Sequence, residues 1–274
     1  MRISLEKNRV SDVPLIQFIN ATIWRGSTCV FKHLDLTIDQ HERIAILGPN
    51  GSGKTTLLKT INREIYPEDS PDSSVRILGQ DRWNVWQLRK HIGIVSQDLQ
   101  QRYTPTTTAL QVVVSGYFSS IGVHGALANQ VTQTQREHAL AVLNELGIGN
   151  LSDCSLNRMS TGQQRRCLLA RALVHDPAIL ILDEPTAGLD LTASFDYLAR
   201  IRQLARAGRN IVMVTHHLNE IPPEVSRVVL LGDGGIAADG DKAEVLTADM
   251  LSSVYDTAIR VREVDGYYLA YPGQ

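Results

Sequence analysis

The chain reads as an α/β fold on a mostly parallel sheet, with an N-terminal antiparallel β subdomain and an α-helical subdomain. Three observations predict this. Short apolar runs at 43–48 (RIAILG), 178–183 (AILILD) and 211–216 (IVMVTH) have the look of buried strands. Each ends in polar residues at its C-terminal edge, where open α/β sheets bind ligands. Longer amphipathic stretches separate these runs, the alternation expected of βαβ units.

The first run leads into a glycine-rich turn and then a helix from about Lys54, with Leu57, Leu58, Ile61 and Ile65 on one face. Residues 14–39 read as two or three short strands with polar turns, more antiparallel than parallel. Residues 98–157 carry little strand pattern. Within them, 109–118 and 137–146 look helical, and the polar, glycine-containing stretch 122–135 looks like a loop. Residues 228–238 are expected to form a hairpin turning at Asp233-Gly234-Gly235. The expected organisation is a single domain: core and antiparallel strands from 14–97 and 158–246, a helical subdomain at 98–157, and a C-terminal extension at 247–274.

With 274 residues, 43% of them hydrophobic and 20% charged, the chain has material for one large core. A net charge of −2 offers no basic excess to nucleic-acid phosphates, so no nucleic-acid partner is expected. Cys29, Cys154 and Cys167 lack metal-ligand spacing and read as reduced thiols, as in the cytoplasm. Residues 1–10 carry Arg2, Glu6, Lys7 and Arg9 and no apolar core of a signal peptide. No run of eighteen apolar residues occurs, so no direct membrane insertion is expected. A membrane role would pass through a partner.

Gly48-Pro49-Asn50-Gly51-Ser52-Gly53-Lys54-Thr55 matches G-x-x-x-x-G-K-[ST], and Thr56 continues it. Glycines let the backbone curl until its N–H groups face phosphate oxygens, and the helix that follows adds its positive end. Lys54 is expected to reach the β- and γ-phosphates, and the Thr55 hydroxyl to ligate Mg²⁺. The fold class is therefore a P-loop NTPase core, with ATP and Mg²⁺ as ligands. Residues 179–184 (ILILDE) are an apolar strand ending in two carboxylates. Asp183 is placed to hold Mg²⁺ through water, and Glu184 to take a proton from the attacking water. Ser160 reads as a helix cap, with Gln163 reaching back to it.

Ser160-Thr161-Gly162-Gln163-Gln164 resembles the signature motif of ATP-binding-cassette proteins, usually leucine-serine-glycine-glycine-glutamine. Gln97, in Gly93-Ile94-Val95-Ser96-Gln97, resembles the Q-loop glutamine. In that family it contacts Mg²⁺ and the attacking water and hinges the helical subdomain. Gly188-Leu189-Asp190 resembles the D-loop, and His216 the switch histidine that senses the γ-phosphate. The resemblance spans about residues 14–246. It implies an ATPase in which two copies dimerise head to tail around ATP, with Ser160 and Gly162 acting in trans on the γ-phosphate held by Lys54 of the other copy. Two departures stand out. Thr161 replaces the first glycine of the signature. The adenine-stacking position, normally an aromatic residue before a glycine, falls at Arg25 before Gly26, with Trp24 one place earlier. Either side chain can stack on adenine, and Trp24 is alternatively a core residue, because neighbouring strand residues point to opposite faces.

Two roles follow from the resemblance. One is the ATP-binding subunit of an importer with separate integral-membrane permease subunits, in the cytoplasm and peripheral at the inner face of the cell membrane. There, residues 97–112 would face the permease. The tail 228–246 resembles iron-chelate and cobalamin importer ATPases, and 112–122 a molybdate-associated branch. The alternative is a soluble single-cassette ATPase with a regulatory role and no permease. A small-molecule kinase is disfavoured by Ser160–Gln163, Gln97 and His216 together. No residue encodes a cargo.

Overall fold

The computed structural model describes residues 13–123 and 125–273. The charged segment 1–10, read above as lacking a signal peptide, lies outside the described residues. Strands β1 (Ile16–Arg25) and β2 (Thr28–Ile38) form a long antiparallel hairpin. Its buried residues alternate, except between Phe18 and Ala21, where Asn20 takes φ +46° and the register shifts. Strand β3 (Arg43–Leu47) runs into helix α1 (Lys54–Ile61). Next come β4 (Ser74–Ile77), α2 (Val85–His91), β5 (Ile92–Val95), α3 (Gln97–Gln101) and α4 (Ala109–Ser115). Helices α5 (Gln133–Glu145) and α6 (Thr161–Leu173) precede β6 (Ile179–Asp183), α7 (Leu191–Arg206) and β7 (Ile211–Thr215). The chain then forms β8 (Arg227–Gly232), β9 (Gly235–Asp241), α8 (Lys242–Val245), α9 (Ala248–Tyr255), β10 (Ile259–Val264) and β11 (Tyr267–Pro272).

The main sheet has the order β5-β6-β7-β3-β8-β9, parallel throughout except for the β8–β9 hairpin. Its two faces serve different layers. Ile179, Ile181, Val212 and Val214 pack with the antiparallel sheet and α1, while Leu180, Leu182, Ile211 and Met213 pack with α4, α5, α6 and α7. That is the two-residue period of a strand buried on both sides. A third cluster joins β8 to α8, α9 and the β10–β11 hairpin. Lys242 fastens this hairpin by donating to the carbonyls of Pro222 and Gly266 at 3.2 and 3.0 Å.

Several elements differ from the sequence reading. Residues 14–39 hold two antiparallel strands, within the expected two or three but long rather than short, and the third partner of that sheet is β4, pairing with Ile16–Ile19. Ile65 lies beyond α1, which closes at Asn62, though it still packs on the same core. The 109–118 helix stops at Ser115 and tightens into a 3-10 turn at Gly116–Phe118. A Cβ on Gly116 would lie 2.6 Å from the Arg171 carbonyl, so the chain passes too close to α6 for a side chain. The expected loop at 122–135 contains a 3-10 segment, Gly125–Gln130, and α5 begins four residues earlier than read. Thr132 and Gln135 form a reciprocal capping box there. The 228–238 hairpin turns at Asp233-Gly234 as read, Gly234 having φ +74°, and its strands extend to Arg227 and Asp241. All three cysteines are free thiols, with Cys167 fully buried.

Candidate nucleotide site

The loop after β3 has no room for side chains at two of its glycines. A Cβ on Gly48 would lie 2.6 Å from Ser52 Oγ and 2.7 Å from the Leu231 carbonyl. One on Gly53 would meet the Phe31 ring at 2.4 Å, and Gly53 also takes φ +100° at the N-cap of α1. The result is a tight amide-lined cradle at the positive end of a helix. Lys54 lies across it, 8% exposed, donating to the Gly48 and Pro49 carbonyls at 2.7 and 2.9 Å. Burial lowers the pKa of its ammonium, against the pull of Glu184 and Asp183. The Ser52 hydroxyl is buried without a hydrogen-bond partner. An orphaned hydroxyl, a buried ammonium and a side-chain-free cradle are what a polyphosphate fills. The adjoining cavity, about 370 Å³, extends from Lys54, Thr55 and Thr56 past Glu184 to Arg25, Thr28 and Val30.

Strand β6 carries Asp183 to the edge of this cradle. Burial pushes its carboxyl up to about 6, reinforced by Glu184 and Asp98 and opposed by Lys54 and Arg165. Among such neighbours a carboxylate gains from a cation, so Thr55 and Asp183 form a fitting donor pair for Mg²⁺. Glu184 takes φ +47°, left-handed backbone that costs a side-chain-bearing residue about 1–3 kcal/mol. It is held there by its own N–H bond to the Val214 carbonyl at 2.8 Å. His216, one residue past β7 on the neighbouring strand, puts Nδ1 2.7 Å from Glu184 Oε1. The His217 ring lies against it, tilted by 44° with centroids 3.8 Å apart. The pair can therefore organise and deprotonate a water at the cavity mouth.

The remaining residues singled out in the sequence divide clearly. Arg25 lines the cavity. Trp24 is neither core nor lining: it is 43% exposed, and its indole N–H donates to Glu68 Oε2 at 2.8 Å. Successive strand residues face opposite ways, so only one of the two could reach the site. Gln97 opens α3 with its side chain exposed. Its neighbours Ser96, Asp98 and Leu99 line a second cleft that reaches Thr55 and Asp183. Ser160 caps α6 in a capping box with Gln163, accepting the Gln163 N–H at 3.3 Å while Gln163 accepts the Ser160 N–H at 2.8 Å. Gly162 is buried, and a Cβ there would come within 3.0 Å of Ala193. Ser160, Gly162 and Gln163 do not line the cradle of their own chain. Sequence reasoning missed Thr28, Val30 and Asp98. The last directly follows the flagged Gln97, and the first two follow the hairpin turn beside Arg25.

Comparison with known proteins fits this geometry. A family profile described as ABC transporter matches residues 31–187, more than half of the chain. The chain belongs to the ABC transporter family. This ABC cassette is 33% identical over 252 residues to an uncharacterized ABC transporter ATP-binding protein, YlmA, of Bacillus subtilis, covering 90% of this chain and 93% of the relative. It is 30% identical over 248 residues to the hemin import ATP-binding protein HmuV of Rhodopseudomonas palustris, covering 88% and 87%. Its fold matches a dimeric ATP-binding cassette in a post-hydrolysis state bound to ADP and phosphate, with TM-score 0.66, 27% identity and coverage of 82% and 98%. The cassette is thus an ABC ATPase that binds and hydrolyses ATP. Among the described residues no helix is long and apolar enough to cross a membrane.

Proposed function

We propose that this cassette is the ATP-binding subunit of an importer. ATP-driven closure of a head-to-tail homodimer would be passed to separate integral-membrane permease subunits at the inner face of the cell membrane. The observation that carries this reading is the second cleft. It is about 280 Å³ and is lined by Thr55 and Asp183 together with Lys59, Glu64, Arg102 and Ser119. A change at the phosphates is thereby one wall away from a surface groove able to seat a segment of another protein. The hemin-import relative supports the direction of transport.

Within the site, Lys54, the loop amides and the Ser52 hydroxyl hold the phosphates. Thr55, Asp183 and, by resemblance, Gln97 hold Mg²⁺, which when bound neutralises charge on the transferring phosphoryl group. Arg25 packs against the base. Glu184 accepts the proton of the attacking water, and His216 orients Glu184 through the 2.7 Å contact. Ser160, Gly162 and Gln163 present the positive end of α6 to the phosphate held by the other copy. Domain motion follows the same plan, with 98–157 turning as a unit about Gln97.

A photocrosslinker placed at Arg102 in membranes tests the reading. Capture of an integral-membrane protein is expected. Capture of a permease only from crosslinkers placed at 250–274 would refute the 97–112 surface, and a cassette that washes free of membranes without any such partner would favour the soluble regulatory role.

A further inference from the structure

A buried carboxylate is bonded to residues that flank the Glu184–His216 pair in sequence. Glu220 ends the 3-10 turn Leu218–Glu220, four residues past His216, and is 3% exposed. One of its oxygens accepts the Thr186 hydroxyl, and the other accepts the Thr215 hydroxyl at 2.5 Å. Thr186 stands two residues after Glu184, and Thr215 one residue before His216. Thr215 Oγ1 in turn accepts the His217 N–H at 3.0 Å. The same turn is gripped from the far side. Arg165 on α6, 1% exposed, donates from Nη2 to the Ala187 carbonyl at 3.0 Å, while the Ala187 N–H donates to the Glu184 carbonyl at 3.2 Å. Glu220 thus adds a buried side-chain tie between two strand ends already joined by the Glu184 N–H bond to the Val214 carbonyl and by the Glu184–His216 contact.

We propose that Glu220 is a positioning residue for ATP hydrolysis, holding Glu184 and His216 in mutual register through Thr186 and Thr215. The inference rests on Glu184 acting as the base. A carboxylate suits the place because it presents two acceptors to two hydroxyl donors. A glutamine of equal size would turn an NH₂ toward one of those hydroxyls, which would then accept instead of donate and leave its own proton without an acceptor at a position only 3% exposed. The strain at Glu184 gives the tie something to oppose, since a φ of +47° persists only where the surroundings over-determine it.

The test compares Glu220→Gln, Thr186→Val and Thr215→Val with Glu184→Gln, by steady-state ATPase rate, ATP affinity and single-turnover hydrolysis. Expected for Glu220→Gln is a fall in kcat of about tenfold to a hundredfold, the usual cost of losing an orienting partner, with ATP affinity within about twofold. Each valine variant should fall in the same sense. Adding Thr215→Val to Glu220→Gln should cost less than the product of the two single effects. Introduced into Glu184→Gln, Glu220→Gln should slow single-turnover hydrolysis no further. Wild-type kcat in Glu220→Gln, or equal loss of affinity and kcat, or multiplying effects in the Glu184→Gln background, would overturn the proposal. Should Glu220→Gln fail to fold, the two valine variants carry the same comparison. A Glu184→Gln protein that hydrolyses at the wild-type rate would instead remove the base assignment itself.

Discussion

Two residues of the site make separable predictions. Among the described residues Lys54 supplies the only ammonium lining the cradle, and it is already sheltered from water, so its charge meets phosphate with little competing solvation. Lys54→Ala is expected to abolish tight ATP binding, and calorimetric titration with ATP reads it directly; retained affinity would refute the assignment. Glu184→Gln should behave in the opposite way. Glutamine keeps the size and can still bond a water but cannot take its proton. Hydrolysis is expected to slow about 10²–10⁴-fold, or about 3–5 kcal/mol of barrier, with ATP affinity almost unchanged. Wild-type turnover in that variant would rule Glu184 out as the base.

At the scale of elements, legibility followed how local each signal is. The parallel strands and α1 were readable because burial on both faces writes an unbroken apolar run, and the phosphate loop because its backbone admits few residues at fixed places. Strand β4 was not readable. Its four residues follow a polar stretch and become a strand only by pairing with β1, where Ser74 meets Ile19, fifty-five positions earlier, and Ile77 meets Ile16, sixty-one positions earlier, separations no local pattern records. The start of α5 was readable in principle from Thr132 and Gln135, a pair of the same kind recognised at Ser160 and Gln163. Glu220 was beyond reach, because nothing in its neighbourhood announces two threonines from other strand ends. The α5 cap lends itself to a control. Thr132→Ala should lower stability by about 1 kcal/mol and leave the ATPase rate unchanged, measured by thermal unfolding beside turnover. A loss of turnover would mean that α5 does more than close its own first turn.

For the whole molecule, the decisive arrangement is that the signature and the cradle of one chain do not meet. Ser160 and Thr161, at the N-terminal end of α6, are exposed and do not line their own P-loop cavity, so in the proposed head-to-tail dimer a second copy would complete the site, and a twofold assembly would complete two at once. Glu184→Gln should therefore run as a dimer in size-exclusion chromatography with ATP and Mg²⁺, and as a monomer without nucleotide. An elution volume indifferent to ATP would argue against nucleotide as the adhesive between copies.

The backbone of Glu184 sets stability and activity against each other. Glycine is the residue that relaxes a φ of +47°, and with no side chain it cannot serve as a base. Glu184→Gly and Glu184→Ala both lose the contact with His216, so their difference isolates the backbone. The glycine variant is expected to be the more stable by about 1 kcal/mol, seen in chemical denaturation, though neither hydrolyses ATP at a useful rate. Selection for a sturdier fold alone would drift toward glycine here. On the proposed role of Glu184, a carboxylate here is what hydrolysis asks for and what stability alone does not.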